Sequence, residues 1–230
     1  MKQLQEKLDF LLKKYSVGRK AIIKNENCVN IDGKDIPLLS HRSERRFVEL
    51  KNVAHNGTLK GISVMRSANI AVKGSDLSRM LYRELDLCQW ILEDPIVSVF
   101  AVNNGPTMNV IAHTQGGLVC TVELSATLSQ GQKPIDKHEI ISQRGIACDK
   151  VVDTQIMQNS IYLYGETTQA YTDVDFELYG LEIPEIAVVR QAFAVAKNGN
   201  DAELIEADHR LERLVALAEA SLVSGQKEVL

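Results

Sequence analysis

A chain of 230 residues, 45% hydrophobic and 24% charged, is large enough to bury one substantial core and leaves room for a small second lobe. Its formal net charge of −4 provides no basic face of the kind that general nucleic-acid binding requires. No apolar run approaches the ~20 residues that span a bilayer, and the opening Met1-Lys2-Gln3-Leu4-Gln5-Glu6-Lys7 lacks the apolar centre of a signal peptide, so a cytoplasmic protein with no membrane or nucleic-acid partner is expected.

Leu4, Leu8, Leu11, Leu12 and Tyr15 recur at helical spacing, which predicts an amphipathic helix over residues 3–15, with Gly18 beyond its end. Residues 20–40 read as short strands about the turn signal Asp32-Gly33. A second helix is expected over 44–56, with Phe47, Leu50, Val53 and Ala54 on its apolar side and Gly57 in the left-handed position that ends it. Ile62, Val64, Arg66, Ala68, Ile70 and Val72 alternate with period two and predict a half-buried strand, whose inward series carries one charge, Arg66. Ser75 or Asp76 then caps a helix through Leu92. Its stripe is Leu77, Leu81, Leu85, Cys88 and Leu92, widened by Met80, Leu87 and Ile91, and Asp94-Pro95 closes it.

The middle of the chain is β. Residues 96–103, 107–113 and 118–127 alternate, with Gln115-Gly116-Gly117 as a hairpin turn, and further strands are expected at 138–143, 146–152, 160–164 and 170–178. Two helices follow, one with Pro184 in its first turn and Gly199 after its end, the other over 208–224 with Gly225 as its stop. Strands in a block between helices predict an α+β fold, and short turns favour a large, mostly antiparallel open sheet with helices packed on one face. The expected division is a short α/β segment over 1–42, either the remnant of a lobe or a dimer arm, and an α+β domain over 43–230.

Chemistry-bearing spacings are few. Cys28, Cys88, Cys120 and Cys148 form no CxxC pair, and free thiols in a reducing compartment are expected. His41, His55, His113, His138 and His209 lack metal-ligand spacing, so no metal is expected. His113 and His138 fall on strands, where a histidine is either a pocket residue or a satisfied member of the sheet. His41, Arg42, Arg45 and Arg46 read as a solvated helix start or a phosphate site. Asp173, Asp175 and Glu177 alternate along one strand and read as its solvent side or as paired carboxylates for glycoside chemistry.

Three stretches carry a resemblance: His41-Arg42-Ser43-Glu44-Arg45-Arg46-Phe47 continuing to Asn56-Gly57-Thr58-Leu59-Lys60-Gly61; Leu85-Asp86-Leu87-Cys88-Gln89-Trp90-Ile91-Leu92; and residues 208–229 with Ala220-Ser221 and Gly225. Together they resemble the C-terminal domain of the Gfo/Idh/MocA oxidoreductases, the family of glucose–fructose oxidoreductase and inositol dehydrogenase. The resemblance implies an NAD(P)-dependent sugar or cyclitol chemistry in which a separate Rossmann domain grips the cofactor through a Gly-rich loop. This sequence has no such loop, and the family's Glu-Lys-Pro segment has no counterpart, since Lys133-Pro134 lies elsewhere. At the positions matching the family's pocket aspartate and the histidine one turn later stand Arg79 and Arg83. An arginine stays protonated and cannot relay a proton.

The expectation is therefore a truncated, oxidoreductase-like protein that binds no cofactor by itself, with NAD(P) entering only if a partner supplies the Rossmann domain. One reading is a non-redox binding or accessory protein, a homo-oligomer through the sheet face or a companion of a full-length relative. The other is the substrate-domain subunit of a dehydrogenase completed by a separate cofactor-binding chain. A third is a different reaction in the old pocket, with Glu84, Asp86 or Tyr82 as base. Arg79 and Arg83, four apart on one helix, together with Arg66 would converge on an anionic sugar or sugar acid. Alternatively they pair with acids such as Glu84 and Asp86 or lie in solvent.

Overall fold

The computed structural model describes residues 1–149, 160–164, 169–172, 177, 178 and 180–230, which form two compact units. One comprises residues 1–44 and 174–210, the other 45–173 and 211–230.

In the first unit, α1 (Lys2–Lys14) buries Leu4, Leu8, Leu11 and Leu12 of the stripe its spacing predicts, while Tyr15 caps its end and is exposed. A three-stranded antiparallel meander follows: β1 (Ala21–Asn25), β2 (Cys28–Ile31) and β3 (Lys34–Pro37). Ile31 pairs with Lys34 across Asp32 (φ 51°) and Gly33 (φ 93°), the left-handed pair that a two-residue hairpin needs. Gln5 ties helix to strand, accepting from Ile23 N–H at 2.9 Å and donating to the Ala21 carbonyl at 3.0 Å. A 3₁₀ turn over Ser40–Ser43 packs against α4 (Ile183–Asn198), which Glu182 and Glu185 open as a reciprocal capping box and Gly199 (φ 70°) closes.

In the second unit, α2 (Arg45–His55) leads to β4 (Ile62–Val72) and α3 (Leu77–Leu92), whose first turn is capped by Asp76. Then come β5 (Ile96–Asn104), β6 (Thr107–Thr114), β7 (Val119–Leu128), β8 (Ile135–Ser142), β9 (Gly145–Cys148), β10 (Ser160–Tyr164) and β11 (Gln169–Thr172). The long α5 (Asp201–Ser224), which belongs to this unit from Leu211 onward, starts seven residues before the expected 208, and β12 (Glu228–Val229) joins the edge of the sheet. The expected strand segments at 150–152 and 173–176 lie outside the described residues, as do Asp173 and Asp175.

The strand order is β11-β10-β9-β8-β4-β7-β6-β5-β12. The α+β class is as expected. The sheet is mixed, however, where short turns favour mostly antiparallel pairing, because β4 and β7 run parallel at its middle. Turn length reports only on consecutive strands, and β4 pairs with neighbours made much later in the chain.

One face of this sheet is covered. Met65, Ser67, Asn69 and Ala71 of β4 point to it, and so do Cys120, Val122, Leu124 and Ala126 of β7 and Val110 and Ala112 of β6. α3 packs on β4, β6 and β7, and α2 on β9, β10 and β11. This corrects the phase expected for β4: Val64, Arg66, Ala68 and Ile70 lie on the open face, and Arg66 is exposed. The period was legible. The side was not, because the covered series contains two polar residues that a buried carboxylate satisfies. No described helix is long and apolar enough to cross a membrane.

Candidate functional site

Beneath the covered face, the second unit holds a largely buried cluster of charges. Glu84 stands inside the apolar stripe of α3, flanked by Leu81, Leu85 and Cys88, all fully buried. Its two oxygens accept from Ser67 Oγ at 2.5 Å and Asn69 Nδ2 at 2.9 Å on β4, from Arg83 Nη1 at 2.5 Å, and from His138 Nε2 at 2.7 Å on β8. His138 lies opposite Ser67 in the register, so both point at the same helix. Its Nδ1 meets Asp149 Oδ2 at 2.7 Å, and its backbone N–H donates to Asp149 Oδ1 at 2.6 Å.

Asp136, two residues before His138 on the same face, binds two arginines. Arg46 of α2 grips it bidentately at 2.8 and 2.7 Å, and Arg83 Nη2 donates to it at 2.9 Å. Arg46 also donates to Asp149 at 2.9 Å. The fully buried Phe47 ring floors the cluster, 4.2 Å from the Arg46 guanidinium, 5.3 Å from that of Arg83 and edge-on to His138 at 4.7 Å.

The electrostatics follow from this enclosure. Burial by itself lowers the pKa of His138, but the Asp149 and Glu84 carboxylates and their hydrogen bonds raise it to about 9, so the ring is an imidazolium donating from both nitrogens. Burial favours protonation of Glu84, yet Arg83 and His138 hold it well below the usual carboxylate range. Asp136 is likewise depressed against its burial by Arg46 and Arg83. Among the described residues, the Glu84, Asp136 and Asp149 carboxylates therefore face the Arg46 and Arg83 guanidiniums and the His138 imidazolium. As arranged the cluster stores charge without offering a free base.

Of the three arginines expected to converge, only Arg83 is brought into this cluster. Arg79 is exposed, its guanidinium 5.0 Å from the Tyr82 ring centroid. Arg66 lies on the opposite face of the sheet, 3.6 Å from Glu123 and 3.5 Å from Glu139. The pairing of Arg83 with Glu84 is the alternative that the adjacent acids suggested. Arg46, placed by sequence in a solvated basic run, is instead buried. The signal for the missed residues was Glu84 itself, a charge at i+3 and i−4 within an apolar helical stripe.

Elsewhere, Cys88 and Cys120 are buried thiols, and their mutual hydrogen bond together with burial pushes Cys88 well above the usual thiol range. Glu177 accepts from Tyr15 and Lys14. Among the described residues, no group of three His, Cys, Asp or Glu side chains is placed to hold a metal ion. A shallow hollow of about 300 Å³ lies beside α5 and β12, lined by Arg213, Ala216, Leu217, Val229 and Leu230.

No family model matches the chain, and no curated protein sequence does. Solved structures do. The chain superposes on a probable dehydrogenase from Thermotoga maritima with a TM-score of 0.60 at 17% identity, covering 83% of this chain and 63% of that one. For a myo-inositol dehydrogenase from Corynebacterium glutamicum the values are 0.59, 12%, 84% and 63%. For an oxidoreductase from Agrobacterium radiobacter, in complex with NAD+, L-tartaric acid and magnesium, they are 0.64, 15%, 83% and 63%. The fold is that of Gfo/Idh/MocA-type oxidoreductases. The chain spans about 63% of their length, which fits a partial, C-terminal-like portion.

Proposed function

We propose that this chain is a non-redox protein built on the substrate-side scaffold of a dinucleotide-dependent dehydrogenase, and that it acts as a self-associating binding or accessory protein. The observation that carries this reading is Arg83. By the resemblance it stands at the position of the family's proton-carrying histidine, and Glu84 and Asp136 hold its guanidinium. An arginine so fixed neither takes up nor releases a proton at any useful pH. The free cysteines fit a reducing compartment, and the reading places the chain in the cytoplasm.

Self-association uses the open face of the large sheet, where Ile111 is 42% and Val102 49% exposed. The same face carries Arg66 and Lys137 beside Glu123 and Glu139. A twofold contact places one patch against its own copy, so it must be self-complementary, and a face with both signs interspersed among aliphatic side chains meets that condition. A second copy is thus the occupant we assign, with a full-length relative as the other outcome.

The test has two arms. Sedimentation velocity at micromolar concentration should give a dimer or larger species that Ile111→Arg dissociates; a monomer throughout would end the proposed assembly. Incubation with polyols and NAD(P) should give no nicotinamide reduction, and turnover by the purified chain would overturn the non-redox reading. One observation favours a second reading, in which a separate chain supplies the cofactor: the Agrobacterium radiobacter structure holds NAD+ with a chain of which this one spans only part. Nicotinamide binding that emerges only with a co-purified partner would favour it.

A further inference from the structure

We propose that His113 makes the self-association of this chain sensitive to protons: a second copy closes over the open sheet face only while the imidazole is neutral, and acid separates the copies. The inference rests on the association proposed above and names its regulation.

In register across six neighbouring strands of the open face stand Ile141 of β8, Val64 of β4, Val119 of β7, His113 of β6, Ser98 of β5 and Val229 of β12. This row is aliphatic apart from Ser98 and His113, and it carries no charge while His113 is neutral. Phe100 and Ile111, paired with each other, adjoin it. His113 Nδ1 is buried and has no hydrogen-bond partner, and the same is true of Thr121 Oγ1, diagonally across on the next strand. Buried polar atoms are nearly always paired. Two orphans side by side, on a face whose aliphatic side chains are partly exposed, mark a place where a contact from outside the chain is due.

The surroundings of the ring decide the sign. The residues paired with His113 or diagonal to it, Ser98 and Phe100 on β5 and Val119 and Thr121 on β7, do not ionise, and neither do Ile111 and Gln115 two places away along the chain. The next charges on this face are Arg66, in register with Thr121, and Glu123, 3.6 Å from it, with Glu139 and Lys137 beyond on β8. At the sheet edge Val229 is followed by the Leu230 carboxylate, and Arg213 of α5 lines the same hollow as both. No described acid is therefore a register neighbour of the ring. His113 is half-buried in the single chain, so water still reaches it and solvates a proton there. A second copy laid across the row removes that water and, by twofold symmetry, brings an identical imidazole. Charging either ring then costs desolvation without a counter-ion, so the neutral form is the one that assembles.

The experiment is sedimentation velocity of the full chain at about pH 7.5 and about pH 5.5, either side of the range in which an imidazole changes charge, at fixed ionic strength. Each copy sheds a proton to assemble, so two imidazoles are linked to one contact and the parent's Kd should rise about 100-fold at the lower pH. His138 is held protonated up to about 9 and does not change state in this window. His113→Gln, whatever its Kd at the higher pH, should keep that value at the lower one. An equal parent Kd at both pH values, a tighter one in acid, as a carboxylate of the copy set against the ring would produce, or a variant with the parent's pH dependence would each overturn the proposal. If His113→Gln does not fold or assemble, heats of dilution of the parent near pH 6, in two buffers of different ionisation enthalpy, decide instead. Dissociation should take up roughly one proton per chain, and no uptake overturns the proposal. A parent that is monomeric at both pH values ends the association and this inference with it, whereas a dimer indifferent to pH ends this inference alone.

Discussion

His138 makes alkaline stability measurable as a property of one side chain. In the unfolded chain its imidazole titrates near the ordinary 6.5, and in the folded protein near about 9. Between those values the native state holds a proton that the unfolded state has released, so unfolding releases a proton and stability falls as pH rises. The contribution is complete below pH 6.5 and lost by the time pH passes 9. At about 1.4 kcal/mol per pH unit the whole span is worth roughly 3 kcal/mol, a large share of a typical domain's stability. Urea denaturation at fixed ionic strength, from pH 5.5 to 10, should show this decline with a slope near one proton between pH 7 and 8.5. His138→Gln, which keeps the shape and drops the titration, should be less stable throughout and flat over the same window. A parent curve flat from pH 6.5 to 9, or a variant with the parent's slope, would refute the imidazolium reading. The acid side runs the other way: Glu84 and Asp136 are depressed in the folded state, so their stabilisation is present above their ordinary values of 4.5 and 3.8 and lost as pH falls below them.

Phe47→Ala removes the buried floor of the cluster and should cost about 3–5 kcal/mol, read as a fall in Tm on the order of 10 °C. Arg46→Met should cost about 3–5 kcal/mol in the same assay, because it takes a buried guanidinium from both Asp136 and Asp149. Arg66→Ala, by contrast, breaks loosely spaced pairs of a half-exposed guanidinium and should stay within about 0.5 kcal/mol of the parent. Ser221→Ala should cost roughly 1–3 kcal/mol in urea denaturation, since the buried hydroxyl accepts from Ala101 N–H at 3.0 Å and donates to the Gln226 carbonyl at 2.6 Å.

Periodicity made most elements legible, but the environment on each side of them was not. The leucines of α1 and most of the α3 stripe, Leu77 and Met80 at its start being half-buried, bury as their spacing predicts, because a helix has one apolar side to hide. β4 has two usable sides, and its more aliphatic series faces outward while Ser67 and Asn69 face in. Hydrophobicity ranks a polar residue as exposed, and only a partner far along the chain, here Glu84, reverses that ranking. The same limit hid the site. Arg46 reads as part of a solvated helix start or a phosphate site, Asp136 and Asp149 carry no motif, and the three become a cluster only when α2, β8 and the residue after β9 meet. The start of α5 was missed for a local reason, because the polar run from Asp201 to Asp208 carries little apolar periodicity.

The parallel pairing at the middle of the large sheet governs how the chain assembles in time. β4 is the first strand of that sheet to be synthesised, yet both of its neighbours come after it, and its contact with β7 joins Val64 to Val119. During translation its amides and carbonyls wait unpaired while α3, β5 and β6 are still being made. Closing so long a loop costs entropy before any ladder bond repays it, so refolding should be slow for a protein of this size. Until β7 arrives, this strand is the stretch a chaperone would most need to shield.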